Sequence, residues 1–343
     1  MTKVNYSKIY TKITKGLSKR TKNILDRRFG VQFGNAETLE SIGKRLKITR
    51  ERVRQIEEVG FNFIKKNHKE TLDKVFEELK AYFAKNGGFK KEETVLKDLG
   101  GQKNKPYFSF FLMIGGGNFS RICAQKDYYY FWSTFPGSGM VVKDTLHSLV
   151  SDIKEYGNLL TKDELLAKFA QKYSLNEASL TSYLEVSKRI QENKEGKFGL
   201  VEWPEIKPRG VKDKAFLVFK KEKKPLHFRK ITELIDELEY DSSFKKAHSQ
   251  TVHNELIKDS RFVLVGRGTY ALKEWGYFPG TIKDVIMKVL KEKQQGVLKD
   301  DLVKEVLAQR LVAENTVLIN LNNKKHFQKD SDGKYFLMET ETV

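Results

Sequence analysis

The sequence predicts a mostly α-helical chain with small β-hairpins (α+β), an N-terminal helix-turn-helix followed by tandem winged-helix domains. Three observations predict it. Apolar residues recur at helical spacing inside a strongly basic N-terminal segment. The three tryptophans, Trp132, Trp203 and Trp275, stand 71 and 72 residues apart and close similar aromatic phrases. Helix-like stretches precede each phrase. With 343 residues the chain exceeds one ordinary core, so several compact units are expected.

The N-terminal element comes first. Lys plus Arg number 64 against 45 Asp plus Glu, a net charge of +19. Residues 1–66 hold 17 Lys/Arg and 6 Asp/Glu, a net of +11, which leaves +8 for the other four-fifths of the chain. That density implies a polyanionic partner, nucleic acid before an anionic membrane surface. Ile24, Leu25, Phe29, Leu39, Ile42, Leu46, Ile48, Val53 and Ile56 recur at helical spacing, so the segment folds rather than trailing as a solvated tail. Thr38 is suited to cap a helix through Arg45. The chain turns at Lys47–Ile48, and Thr49 caps a second helix to about Gly60. Val53 and Ile56 face the first helix, and Gly43 supplies a small residue at the crossing. Glu51 and Gln55 lie one turn apart on the opposite face, with Arg54 between them and Arg50 and Arg52 flanking. Such a face suits a DNA major groove: Arg pairs with guanine, Gln with adenine, and Glu accepts from the cytosine amino group.

The repeated elements follow. Asp127-Tyr-Tyr-Tyr-Phe-Trp132, Gly196-Lys-Phe-Gly-Leu-Val-Glu-Trp203, Gly268-Thr-Tyr-Ala-Leu-Lys-Glu-Trp275 and Gly333-Lys-Tyr-Phe-Leu-Met338 each predict a β-hairpin, and Pro136, Pro204 and Pro279 punctuate them. First helices are expected near Thr71, Thr145, His227 and Thr281. Thr161-Lys-Asp-Glu-Leu-Leu-Ala-Lys-Phe169 is echoed by Leu298-Lys-Asp-Asp-Leu-Val-Lys-Glu-Val306. Three short helices followed by a hairpin is the winged-helix arrangement, and a period near seventy means tandem domains. The expected organisation is residues 1–66, 67–136, 140–204, 211–279 and 280–343. In the third repeat Arg267 lies on the wing, and Lys245, Lys246 and His248 precede the recognition helix. The hairpin aromatics are expected in cores. DNA contact and protein docking are equally open to each repeat, and low charge tilts the fourth towards protein.

The chemistry of an enzyme is not evident. His68, His147, His227, His248, His253 and His326 are scattered, with no carboxylate or thiol completing a metal set. His227 and His253 are expected to satisfy local hydrogen bonds. Gly115-Gly-Gly117 lacks a following Lys-Ser/Thr, so it reads as a turn and not a phosphate-binding loop. The single cysteine, Cys123, excludes a disulfide framework and an iron–sulfur cluster, and is expected as a small buried hydrophobe. No stretch approaches the roughly 18–20 apolar residues of a membrane span. Ile9, Ile13 and Leu17 are separated by lysines, so no secretory signal core is expected. The expectation is a cytoplasmic, nucleoid-associated protein that is not an enzyme, with no catalytic residues, metal, cofactor or small-molecule substrate.

The stretch Thr38-Leu-Glu-Ser-Ile-Gly-Lys-Arg-Leu-Lys-Ile-Thr-Arg-Glu-Arg-Val-Arg-Gln-Ile-Glu57 closely resembles region four of the primary sigma-70 family of bacterial RNA polymerase. Arg20-x4-Leu25-x2-Arg28-Phe29-Gly30 resembles the helix leading into it, so the likeness spans about residues 15–66. In that family the module reads the promoter −35 element and docks on the polymerase flap. The resemblance implies base contacts for Arg50, Glu51 and Gln55, phosphate contacts for Thr38, Arg52 and Arg54, and double-stranded DNA and RNA polymerase core as partners. Glu58-Val-Gly-Phe-Asn-Phe-Ile64 departs from the leucine-rich end usual in the family. Few residues precede the match, so a complete promoter-melting sigma factor is not expected. Pro225-Leu-His227, Thr251-Val-His253 with Leu256, Phe262, and Gly266-Arg-Gly-Thr-Tyr-Ala-Leu-Lys-Glu-Trp275 resemble the HARE-HTH winged helix, found in the polymerase delta subunit and in chromatin and restriction proteins. The implied function is a sequence-specific transcription factor. The alternatives are a delta-like polymerase accessory subunit and the DNA-recognition component of a restriction or processing system.

Overall fold

The computed structural model describes residues 5–237, 246–293 and 295–338. They fall into two compact units that meet between Glu202 and Trp203. Helices dominate, and the sheets are small and antiparallel, which gives the predicted α+β class.

The first unit opens with α1 (Tyr6–Ile13), α2 (Lys19–Phe29), α3 (Leu39–Leu46), α4 (Arg50–Asn67) and α5 (Lys69–Lys85). Side chains fix the starts. Asn5 accepts from the Lys8 amide at 3.0 Å and Ser18 from the Thr21 amide at 3.1 Å, each satisfying an orphan donor. α4 runs seven residues past Gly60, where the sequence suggested an end. Gly60 marks a close crossing with α2, since a Cβ there would lie 2.8 Å from Thr21 Cγ2. Next come β1 (Phe89–Lys91), α6 (Glu92–Ile114), β2 (Ser120–Ile122) and β3 (Phe131–Ser133), forming a sheet of order β1-β3-β2. α6 bends at Gly101, whose φ of +54° favours glycine.

The second half of α6 carries Phe108, Phe110, Phe111, Leu112 and Ile114, all buried. They join Tyr10 and Ile13 of α1, Leu25 and Phe29 of α2, Ile64 of α4 and the buried face of α5 in one core. The Phe110 ring stands edge-on to Tyr10 at 4.9 Å, Phe29 at 5.3 Å and Phe61 at 5.8 Å. The expected boundary at residue 66 therefore runs through a shared core, and residues 6–13 form a helix packed into it. Tyr10 donates its hydroxyl to Asp26 Oδ1 at 2.8 Å, and burial pushes the Asp26 carboxyl above its ordinary range.

The unit continues with α7 (Ser138–Tyr156), α8 (Lys162–Tyr173), α9 (Glu177–Val186), β4 (Ile190–Glu192) and β5 (Phe198–Leu200). α7 starts seven residues before the expected Thr145, because Met140 and Val141 of its first turn face solvent and hide the apolar pattern. α9 lies against β1. Ser182 Oγ donates to the Asn86 carbonyl at 2.7 Å, Lys90 pairs with Glu185 at 3.0 Å, and the Phe89 and Tyr183 rings are 4.8 Å apart. Cys123 is exposed, contrary to expectation. It follows β2, an edge strand whose Ser120 and Arg121 face solvent.

The second unit contains α10 (Gly210–Glu222), β6 (Leu226–His227), α11 (Phe228–Glu237), α12 (Ser249–Lys258), β7 (Phe262–Gly266) and β8 (Thr269–Leu272), with sheet order β6-β8-β7. The helix expected near His227 is present as α11, but it is the second of the unit, since α10 precedes it. Ala215–Phe219 is buried on every side, so α10 lacks the amphipathic spacing that betrays a helix in sequence. Lys245 lies outside the described residues. His227 Nδ1 accepts from the Arg229 amide at 3.3 Å, and His253 stacks on Phe228 at 4.5 Å. After a short turn at Lys273–Trp275 follow α13 (Ile282–Lys293), β9 (Val297–Leu298), α14 (Lys299–Gln309), α15 (Glu314–Leu321), β10 (Phe327–Lys329) and β11 (Lys334–Leu337). The two halves are clasped. Arg310, buried, donates to the carbonyls of Phe278 at 2.6 Å and Gly280 at 3.0 Å, and the Leu311 amide donates to Val265 on the edge of β7 at 2.6 Å.

Phe110→Ala is expected to cost about 3–5 kcal/mol. Because its contacts join α1, α2 and α4 to α6, denaturant melts should show the helices of residues 6–67 and α5–α6 losing stability together.

Candidate nucleic-acid interface

The helix-turn-helix is built from local rules. Thr38, extended at φ −75° and ψ 157°, accepts from the Ser41 amide at 3.1 Å and starts α3. Lys47 ends it in the left-handed region at φ +54°, and the Ile48 amide returns to the Gly43 carbonyl at 3.0 Å. A Cβ on Gly43 would lie 2.7 Å from the Ile48 carbonyl oxygen, so the glycine makes room for the turn itself. Thr49 then caps α4 by accepting from the Arg52 amide at 3.1 Å. Ile24, Ile42 and Val53 are fully buried between α2, α3 and α4, with Leu39, Leu46, Ile48 and Ile56 packed around them.

Ion pairs fix the entry to α3. Glu37 accepts from Arg27 at 2.9 Å and from Ser41 at 3.2 Å, and lies 3.5 Å from Arg45. Partial burial pushes its carboxyl up, but the Arg27 hydrogen bond and the Arg45 charge outweigh this and hold it below the usual range. Behind α4, Arg28 Nε faces Glu57 Oε1 at 3.5 Å without a hydrogen bond, and burial raises the Glu57 carboxyl against the pull of Arg28 and Arg54.

Arg50, Glu51, Arg52, Arg54 and Gln55 lie on the first turns of α4, all exposed, and Thr38 stands at the start of α3. The structure thus gathers the six expected contact residues on one helix-turn-helix. They are tied to one another. Arg54 holds Glu51 through Nε to Oε1 at 3.0 Å and Nη2 to Oε1 at 2.8 Å, and reaches Glu58 at 3.2 Å. Arg52 donates to Gln55 Oε1 at 3.0 Å. The Arg54 hydrogen bond holds the Glu51 carboxyl low, so Glu51 is an ionised acceptor at neutral pH.

The third helices of the repeats differ in exposure. The second half of α6 is buried in the core shared with α1 and α2, and α9 is buried against β1. α12 turns Gln250, Thr251, Asn254, Ile257 and Lys258 towards solvent, and Gln250 Nε2 donates to Asn254 Oδ1 at 3.2 Å. Those amides escaped notice in the sequence, although their spacing of four on a helix begun at His248 was legible. Lys246 and His248 stand just ahead of them. Among the described residues no three His, Cys, Asp or Glu side chains are placed to hold a metal ion, and no helix is long and apolar enough to cross a membrane.

Fold and site define a helix-turn-helix protein of the DNA-binding class. Within it, residues 15–66 match the family model Sigma-70, region 4, and residues 209–275 match HARE-HTH, the helix-turn-helix domain described for ASXL and restriction endonuclease proteins. RNA polymerase sigma factor SigA of Lactococcus lactis subsp. cremoris is 54% identical over 41 residues, 12% of this chain and 11% of that protein. SigA of Clostridium acetobutylicum is 50% identical over 46 residues, 13% of this chain and 12% of that protein. The chain thus spans about a tenth of the length of the curated relatives it matches.

Glu37→Gln is expected to lower stability at pH 7 by about 1–2 kcal/mol, as one charge-assisted hydrogen bond is weakened. The sign follows from its depressed carboxyl: the stabilisation is present above the unfolded value near 4.3 and fades as pH falls through the lower folded value. Thermal melts from pH 7 to 3 should therefore show the two proteins converging in acid.

Proposed function

We propose that the chain is a sequence-specific reader of duplex DNA that recognises a −35-like promoter element and acts with bacterial RNA polymerase in initiation or its regulation. One observation carries the reading: the first turns of α4 present Arg50, Glu51 and Gln55 on a face whose opposite side is locked by Val53 and Ile56. Arg50 would pair with guanine, Gln55 with adenine, and Glu51 would accept from a cytosine amino group. Thr38, Arg52 and Arg54 would hold phosphates. The Arg54 guanidinium must then exchange Glu51 and Glu58 for a phosphate as DNA arrives. RNA polymerase core as partner rests on the likeness to sigma factors.

The repeats divide the remaining labour. In this reading residues 67–136 and 140–204 are scaffold, since their third helices are buried, and α12 of residues 211–279 offers a second DNA-facing surface. Residues 280–343 add a protein-docking unit. The molecule acts by binding rather than catalysis.

The test is selection from a random duplex pool by the full chain, followed by titration of variants. Gln55→Ala should relax preference at one position and cost about 1–3 kcal/mol on the best site. Arg54→Ala should weaken binding to all duplexes alike and reduce the salt slope by about 1. Base preference unchanged in both Gln55→Ala and Arg50→Ala would refute the reading. Point variants are the right tool, because deleting residues 1–66 would strip the partners of Phe108, Phe110 and Phe111.

A further inference from the structure

The helix ahead of the matched sigma-like segment carries a charge pattern that no base reading uses. Residues 5–25 contain no Asp or Glu, yet hold Lys8, Lys12, Lys15, Lys19, Arg20 and Lys22. On α1 and its end, Lys8, Lys12 and Lys15 are spaced four and three apart, which places them in one row. That row is opposite the buried face formed by Tyr10 and Ile13. All three lysines are exposed, and among the described residues none has a salt-bridge partner. A solvated charged face is the ordinary outcome for such a helix. Here the row is held rigid, because Tyr10 is 2% exposed and is fixed by the Asp26 hydrogen bond and the Phe110 ring.

The row also connects to the reading helix. Gly16, next to Lys15, lies against the Phe63 ring of α4, where a Cβ would come within 3.4 Å. Lys66, exposed and without a salt-bridge partner among the described residues, falls eleven residues after Gln55. Eleven residues make about three helical turns, so Lys66 shares the face of Gln55 about 16 Å further along α4. Cations thus stand at both ends of α4, at Arg50, Arg52 and Arg54 and again at Lys65 and Lys66, and the Gly16–Phe63 contact sets the end of α1 against the second half of that helix.

We infer that Lys8, Lys12 and Lys15 form a fixed track for the phosphate backbone of duplex DNA flanking the site read by α4. The inference rests on the proposed docking of α4 and adds a sequence-independent contact that begins ahead of the segment matched by the sigma model, at Lys8 and Lys12, and reaches its first residue, Lys15. A rigid row has little backbone entropy left to lose on binding, whereas a flexible tail would have to surrender it. Its energy comes from counterion release, so it contributes affinity without base preference.

The experiment compares the full chain with the triple variant Lys8→Gln, Lys12→Gln, Lys15→Gln, in which glutamine preserves helix propensity. Binding is titrated between about 50 and 200 mM salt on a duplex trimmed to the selected site and on one extended by about one helical turn, roughly 10 bp, on each side. The salt slope of the variant should be shallower by about 2–3, removing roughly 40-fold of the affinity gained on going from 200 to 50 mM. The loss should appear on the extended duplex and vanish on the trimmed one, with the selected base motif unchanged. A Lys→Arg triple variant should retain the original slope, showing that charge and not fold is read out. Equal slopes for the Gln variant and the unaltered chain on extended duplex would overturn the inference and leave the row to an acidic protein surface. If α4 read no bases, the lysine effect would still appear in the slope on any long duplex, so the two failures are separable.

Discussion

Packing of α1, α2 and α4 onto the second half of α6 is the constraint on which the first unit depends. A free helix-turn-helix of some fifty residues has a small core, here Ile24, Ile42 and Val53 with four partly buried neighbours. The Phe110 ring and its neighbours extend that core into the next repeat, so the reading helix is oriented by residues some fifty positions downstream of it. Gly101 makes this possible. Its positive φ turns α6 so that Val95 and Leu96 before the bend and Phe108, Phe110 and Phe111 after it enter the same core.

The same economy recurs along the chain. A winged helix offers its third helix and its wing for contacts, and here some of these surfaces are consumed internally. α9 is pinned to β1 by Ser182, Glu185 and Tyr183, and the β7 edge is covered by the Leu311 amide. In α12 the third helix stays exposed, and there amide side chains stand at a spacing fit for base edges. Repetition in sequence therefore does not mean repetition of function: like folds serve as reader or as mortar according to which face their neighbours cover.

Caps and turns were the most legible features, because they depend on chemistry within four residues. Thr38, Thr49 and the Lys47 turn stand where the sequence put them. Features set by distant partners were not legible. Gly60 looked like a helix end and is a crossing with α2; Ala215–Phe219, for which no helix was expected, lies in one and is buried on all sides. Cys123 looked like core and lies at an exposed edge, since a few apolar neighbours cannot reveal which side of a short strand faces solvent. The exposed side chains of α4 proposed as contacts were readable one by one, but their mutual pairing was not, because Arg54 has carboxylates at both three and four residues' distance and geometry alone chooses between or shares them.

That pairing bears on how affinity and discrimination are divided. Glu51 and Glu58 lie beside Arg54, and ionised carboxylates repel a phosphate backbone. A reading face so furnished gains little from DNA in general, because any guanidinium contact to phosphate is made at the loss of a charge-assisted bond already present. It gains more where a cytosine amino group satisfies Glu51 and leaves Arg54 free to move. Discrimination then arises from what the wrong sequence leaves unpaired, as well as from what the right one supplies. Such a face needs its general affinity from elsewhere, and the net +11 of the first 66 residues lies mostly off the reading face, on α1, α2 and the end of α4. In the proposed reading, separating the two tasks on one rigid body would let the lysines hold the duplex while α4 tests its bases.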